Sequence, residues 1–110
     1  MNGPTMQMRP RKRVEIFVEA PLLRRVLAAL DEIGAPGYSL LDIAGGRGGG
    51  AAWEESGELG NASRMVCVIS LVEPERVTEI LARLSPIVAG HIGVTAISDV
   101  DVMTAGGASG

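Results

Sequence analysis

Three observations in the sequence predict an α+β sandwich of order βαββαβ. Apolar residues alternate at period two near both ends of the chain. Two internal segments, each just after a proline, carry apolar residues at i, i+3, i+4 and i+7. A glycine-rich stretch at 46–63 separates two halves that repeat one another. With 110 residues the chain is the size of one domain, so a single core must account for every apolar pattern. That core is aliphatic, because hydrophobic residues make up 46% of the chain and aromatics only 3%.

The termini at 1–12 and 104–110 are polar or small and read as flexible tails, which leaves 13–103 as the folded domain. Val14, Ile16 and Val18 alternate with Glu15, Phe17 and Glu19 as a first strand. Pro21 ends it and fits the first turn of a helix, where a missing amide is no loss. Leu23, Val26, Leu27 and Leu30 form one helical stripe, with Arg24, Arg25 and Asp31 on other faces. Gly34 and Pro36 stop the helix.

A second strand spans 38–44 and a third spans 64–72, both mostly aliphatic. Pro74 repeats the helix-starting signal, and Val77, Ile80, Leu81 and Leu84 repeat the stripe, with Pro86 and Gly90 after it. Val94, Ala96, Ser98, Val100 and Val102 then alternate with Thr95, Ile97, Asp99 and Asp101 as a fourth strand. This order is the split βαβ arrangement of the ferredoxin-like fold, with both helices on one sheet face. Leu40, Leu41 and Ile43, and Val66 to Ile69 with Leu71, are apolar on both parities. Two helices cannot cover both faces, so the second face is expected to be buried against another copy.

The formal net charge is −3 with both signs interspersed, which gives no field favouring a nucleic acid. The run RPRKR at 9–13 reads as a solvated lead-in to the first strand and is assigned no function. Cys67, the lone cysteine, sits in MVCVISLV as a small buried hydrophobe and has no disulfide partner within the chain. No apolar run approaches the roughly 18 residues of a membrane span, and residues 1–13 lack the apolar centre of a secretory signal. The expected compartment is the cytoplasm.

Strands two and three should be joined by a short hairpin of two to five residues, but GRGGGAAWEESGELGNAS intervenes. It is too glycine-rich and polar to hold an element alone, and loops of such length serve function or are disordered. Gly45, Gly46, Arg47 and Gly48 open it. Unhindered glycine amides beside a guanidinium fork suit a phosphate, although glycine runs more often mark linkers. The P-loop ending is missing, so classical nucleoside triphosphate hydrolysis is not expected. Trp53, flanked by Glu54 and Glu55, is either a contact anchor for a partner or a ring folded back on its own subunit. His91, the only histidine, lies between Gly90 and Gly93. It is a solvated loop residue or a neighbour of bound phosphate, and a metal site is disfavoured for want of further ligands.

The segments VEIFVEAPLLRRVLAALDEIGAPGYSLLDIAGGRG and MVCVISLVEPERVTEILARL resemble the PII superfamily of signalling proteins over nearly the whole folded part. GYSLLDIAGGRGGG is most similar to the PII-like branch linked to carboxysomes and bicarbonate transporters. The resemblance implies a homotrimer with nucleotide clefts between subunits, lined by the T-loop base of one chain and the B-loop of the next. It carries nucleotide binding to Ser39 near the adenine, to Gly45, Gly46, Arg47 and Gly48, and to Gly90, His91 and Gly93 around the phosphates. ADP or AMP is implied rather than ATP with magnesium, because the basic residues expected around and after the last strand are missing from HIGVTAISDVDVM. Bicarbonate is implied as a coligand, and a bicarbonate transporter or carboxysome component as the partner. No catalytic residues are assigned, since no nucleophile and base are paired in the sequence. The alternative is a CutA-like metal-responsive or structural trimer that binds no nucleotide.

Overall fold

The computed structural model describes residues 6–48, 51–54 and 64–105. Strand β1 (Met6–Glu19) leads through a 3-10 turn at Ala20–Leu22 into helix α1 (Leu23–Glu32). Strands β2 (Ser39–Asp42), β3 (Gly45–Gly48), β4 (Ala51–Glu54) and β5 (Met65–Val72) follow. A second 3-10 turn at Pro74–Arg76 starts helix α2 (Val77–Val88), and β6 (Gly93–Ala105) closes the chain. The main sheet is antiparallel in the order β2-β5-β1-β6, and β3 and β4 form a separate ribbon. The predicted ferredoxin-like βαββαβ order holds for the main sheet and its two helices.

Both helices begin as expected, with Pro21 second and Pro74 first in the 3-10 turns that lead into them. Val14, Ile16 and Val18 from β1 and Val66, Val68 and Val72 from β5 meet Val26 and Leu30 of α1 and Ile80 and Leu84 of α2. Each fully buried aliphatic side chain contributes about 1.5 to 3 kcal/mol of transfer free energy. Arg76 ties the two helical hairpins together: its guanidinium donates to the Ile33 and Gly34 carbonyls just past α1 while holding Glu79. Arg83 of α2 pairs with Glu32 of α1 at 2.7 Å. Ser70, buried in β5, donates to the Gly37 carbonyl at 2.6 Å and so fixes the lead-in to β2.

Several boundaries differ from the sequence reading. Strand β1 starts at Met6, inside the segment expected to be a tail, because β6 runs on to Ala105 and pairs it all the way, Met6 opposite Ala105. β5 ends at Val72 opposite Lys12, so residues 6–11 and 100–105 form a two-stranded ribbon projecting past the sheet. Part of the glycine-rich connection is also ordered as the β3–β4 ribbon, since mutual backbone pairing supplies what its side chains cannot. Pro86 lies inside α2 rather than ending it. The helix loses one backbone bond there but continues because Ile87 and Val88 pack on the core. Leu81, placed on the buried stripe by its spacing, is exposed. Among the described residues no helix is long and apolar enough to cross a membrane.

Gly93 opens β6 at φ +150°, where a Cβ would collide with the Phe17 carbonyl oxygen. Gly90 also has positive φ, +78°, but a Cβ there meets nothing within 4 Å. In urea unfolding Gly90→Ala should cost about 1 kcal/mol through backbone strain alone, and Gly93→Ala about 2 kcal/mol or more because β1 must shift as well. Equal costs at the two positions would show that the close approach of β6 to Phe17 carries no energy.

Candidate functional site

With both helices on one face, the other face of the sheet is open, and cross-strand register gives its content row by row. Leu41, Cys67, Phe17 and Val94 stand opposite one another across all four strands. Ser39, Ile69, Glu15 and Ala96 form the next row. Below them come Leu71, Arg13 and Ser98, and then, on the projecting ribbon, Arg11 opposite Val100 and Arg9 opposite Val102. The face thus grades from an apolar band to a basic ribbon. Leu41 at 48% and Val94 at 54% exposure leave both flanks of the apolar band bare in the single chain.

A cavity of about 640 Å³ opens on the lower half of this face, within the size range of small-molecule sites. The loop after α1 supplies Gly34, Pro36, Gly37 and Tyr38, and β2 supplies Ser39 and Leu41. Ile69 and Leu71 form an apolar floor, and Arg9, Arg11 and Arg13 line the side toward the ribbon with Val102 and Thr104. Glu73 and Arg76 complete the rim. Four arginines therefore face one glutamate in a chain whose net charge is −3. Arg13 donates to Glu15 through Nε and a terminal nitrogen at 3.2 and 3.1 Å. Arg11 donates to the Pro10 carbonyl and Arg9 to Gln7 Oε1.

Of the residues singled out in the sequence, Ser39 lines the cavity. The remainder lie elsewhere. Gly45, Gly46, Arg47 and Gly48 are in β3, opposite Glu54, Trp53, Ala52 and Ala51 of β4. In the single chain this glycine run is extended and paired with β4. Trp53 and Glu54 are placed by their backbone in β4, and Glu55 lies outside the described residues. Gly90 and His91 follow α2, and Gly93 starts β6. His91 Nδ1 stands 3.6 Å from Glu19, whose carboxylate also accepts from the Ile92 amide at 3.1 Å.

Asp42, Val66, Val18 and Gly93 share one level across the sheet. The two glycine clusters therefore lie at the same end of the sheet but on opposite edges. Three strand spacings of about 4.8 Å, roughly 14 Å, separate them. One chain does not bring them together. Among the described residues no three His, Cys, Asp or Glu side chains are grouped to hold a metal ion.

The arginine row is what sequence reasoning missed. The signal was present: in RPRKRVEIF the arginines at 9, 11 and 13 keep the parity of Glu15 and Phe17, opposite to Val14, Ile16 and Val18. Continuing that alternation upstream would have extended the strand and put the three arginines on its open face.

Cys67 sits in the middle of the apolar band, nearly inaccessible. Burial pushes its thiol up, the Glu15 carboxylate adds to the shift, and Arg13 opposes it. The folded chain thus keeps a proton that the unfolded chain releases. The stability this contributes is complete below the unfolded thiol value of about 8.5 and is lost as pH rises through the higher folded value. At pH 8 the native chain should resist a thiol reagent that labels it fully in urea, and its unfolding midpoint should fall above pH 9. Rapid native labelling would contradict the burial.

The family model described as nitrogen regulatory protein P-II matches residues 11–106. No curated protein matches the chain. Among solved structures, the CPII PII-like protein of Thiomonas intermedia bound to ADP, AMP and bicarbonate is 25% identical with a TM-score of 0.78. The match covers 87% of this chain and 91% of that one. The same protein bound to ADP and bicarbonate matches with a TM-score of 0.76 at 25% identity, over 87% and 91% of the two chains. A putative PII-like signalling protein of Thermus thermophilus shares the fold, with a TM-score of 0.70 and 24% identity over 87% and 92% of the chains.

Proposed function

The chain belongs to the nitrogen regulatory protein P-II family, and from that premise we propose that it is a non-catalytic homotrimer that binds an adenine nucleotide between copies. The observation that carries this reading is the placement of Gly45–Gly48 and Gly90–Gly93 at opposite edges of one end of the sheet. Copies arranged side by side bring the β2 edge of one to the β6 edge of the next, which makes a cleft from two half-sites. The half-exposed Leu41 and Val94 supply apolar surface for that association.

In the cleft, Ser39 lies at the base end, and Gly45, Gly46, Arg47 and Gly48 meet Gly90, His91 and Gly93 of a neighbouring copy around the phosphates. ADP or AMP is favoured over ATP, because Arg47 is the one cation in these two glycine clusters. Bicarbonate serves as a coligand. Support comes from CPII of Thiomonas intermedia, which was solved bound to ADP, AMP and bicarbonate. Ligand binding biases the position of the β3–β4 ribbon, and Trp53, Glu54 and Glu55 form the segment that meets a partner. A ligand shifts such an equilibrium only as far as it prefers one arrangement, and contacts at Arg47 supply that preference. The proposed partner is a bicarbonate transporter or carboxysome component, so the protein acts in the cytoplasm to regulate inorganic-carbon uptake.

Calorimetry with AMP, ADP and ATP, each with and without bicarbonate, tests the reading. AMP and ADP should bind and change Trp53 fluorescence. Arg47→Ala should weaken both at least about tenfold, since a hydrogen bond to a charged group contributes about 1.5 to 3 kcal/mol. Absence of binding by every adenylate would overturn the proposal, and unchanged affinity in Arg47→Ala would remove the phosphate role.

A further inference from the structure

The geometry points to a second anion seat: Arg9 and Arg11, with Arg13 beside them, hold a phosphoryl-bearing small molecule in the cavity on the open sheet face, away from Arg47. Parity is the first reason. The acids of β6, Asp99 and Asp101, pair with Lys12 and Pro10 on the helix side, and Lys12 is bonded to Asp99 there. On the open side β6 offers Ser98, Val100, Val102 and Thr104 instead. Among the described residues no carboxylate lies within ion-pair distance of Arg9 or Arg11, whereas Arg13 has Glu15.

The surroundings are the second reason. Ile69, Leu71 and Val102 line the same cavity, and an apolar floor strengthens any ion contact made above it. Side chains on alternate residues stand about 7 Å apart along a strand, within the converging reach of two arginines. Two uncompensated guanidinium forks match a ligand that carries two negative charges on one small centre. A phosphoryl group does so and a single carboxylate does not. Apposition of copies through this face raises the demand for an anion, because unpaired guanidiniums in an interface are costly.

The seat is distinct from the nucleotide phosphate end proposed above. Ser39 lies between them: β2 rises from Ser39 toward Gly45 and Arg47, while the arginine row descends from Arg13 to Arg9 on the opposite side of that level. An adenylate whose base sits at Ser39 extends its phosphates toward one end or the other.

Pyrophosphate is the probe, titrated into the full chain at low salt without magnesium and followed by calorimetry. The wild-type chain should bind it. In an Arg47→Ala background, which removes the proposed nucleotide-phosphate partner, binding should persist, should weaken at least tenfold on Arg9→Gln/Arg11→Gln with an unchanged urea midpoint, and should weaken less on Arg11→Lys. A prior saturation with ADP separates two sources of the phosphoryl group. Undiminished pyrophosphate binding identifies a ligand other than the nucleotide. Blocked binding, together with ADP affinity that falls in the double variant, identifies the nucleotide's own phosphates, and either result supports the seat. No pyrophosphate binding, binding indifferent to the double variant, or binding lost in Arg47→Ala alone would overturn it. A chain that binds pyrophosphate through Arg9 and Arg11 but binds no adenylate keeps the seat and overturns the nucleotide reading.

Discussion

Four strands present two faces, and two helices cover only one of them. Every functional feature of this chain follows from that imbalance. Val14, Ile16 and Val18 close the helix side with aliphatic packing, while the same strand turns Arg9, Arg11, Arg13, Glu15 and Phe17 the other way. A period of two cannot serve both faces with one chemistry, so the core pattern on one parity frees the other for recognition. The open face is apolar where the strands are four deep and basic where only β1 and β6 remain.

The position of the glycine clusters follows from the same topology. A split βαβ order puts β2 and β6 at the two outer edges, so the connections that leave their upper ends cannot meet within a chain. In the proposed assembly, association that covers the apolar band also completes the ligand cleft. Under that proposal, binding between copies would couple ligand occupancy to the β3–β4 ribbon, which follows directly on the β2 edge strand.

Most of the fold was legible because the core is aliphatic and its periods are clean. The alternation at Val14–Val18, the prolines at 21 and 74, and the stripe at Leu23, Val26, Leu27 and Leu30 each gave one answer. Misreadings occurred where backbone pairing or distant packing overrode composition. Arg9 and Arg11 looked like a polar tail because their partners in β6 lie some ninety residues away. Gly45–Gly48 looked unstructured because strand pairing with Ala51–Glu54 is a backbone interaction that side-chain content does not reveal. Pro86 looked like a stop because Ile87 and Val88 are held by tertiary contacts. The site was less legible than the fold: Ser39, expected near an adenine by resemblance alone, lines the cavity, but the arginines opposite it carry no motif and become visible only when strand parity is followed past the last aliphatic residue.

The claim on which all of this depends is that the open face is completed by further copies of the chain. Sedimentation equilibrium of the ligand-free protein at tens of micromolar measures it directly. The account predicts a particle of three times the 11.4 kDa chain mass. A stable 11.4 kDa monomer, with its apolar band left to water, would contradict it.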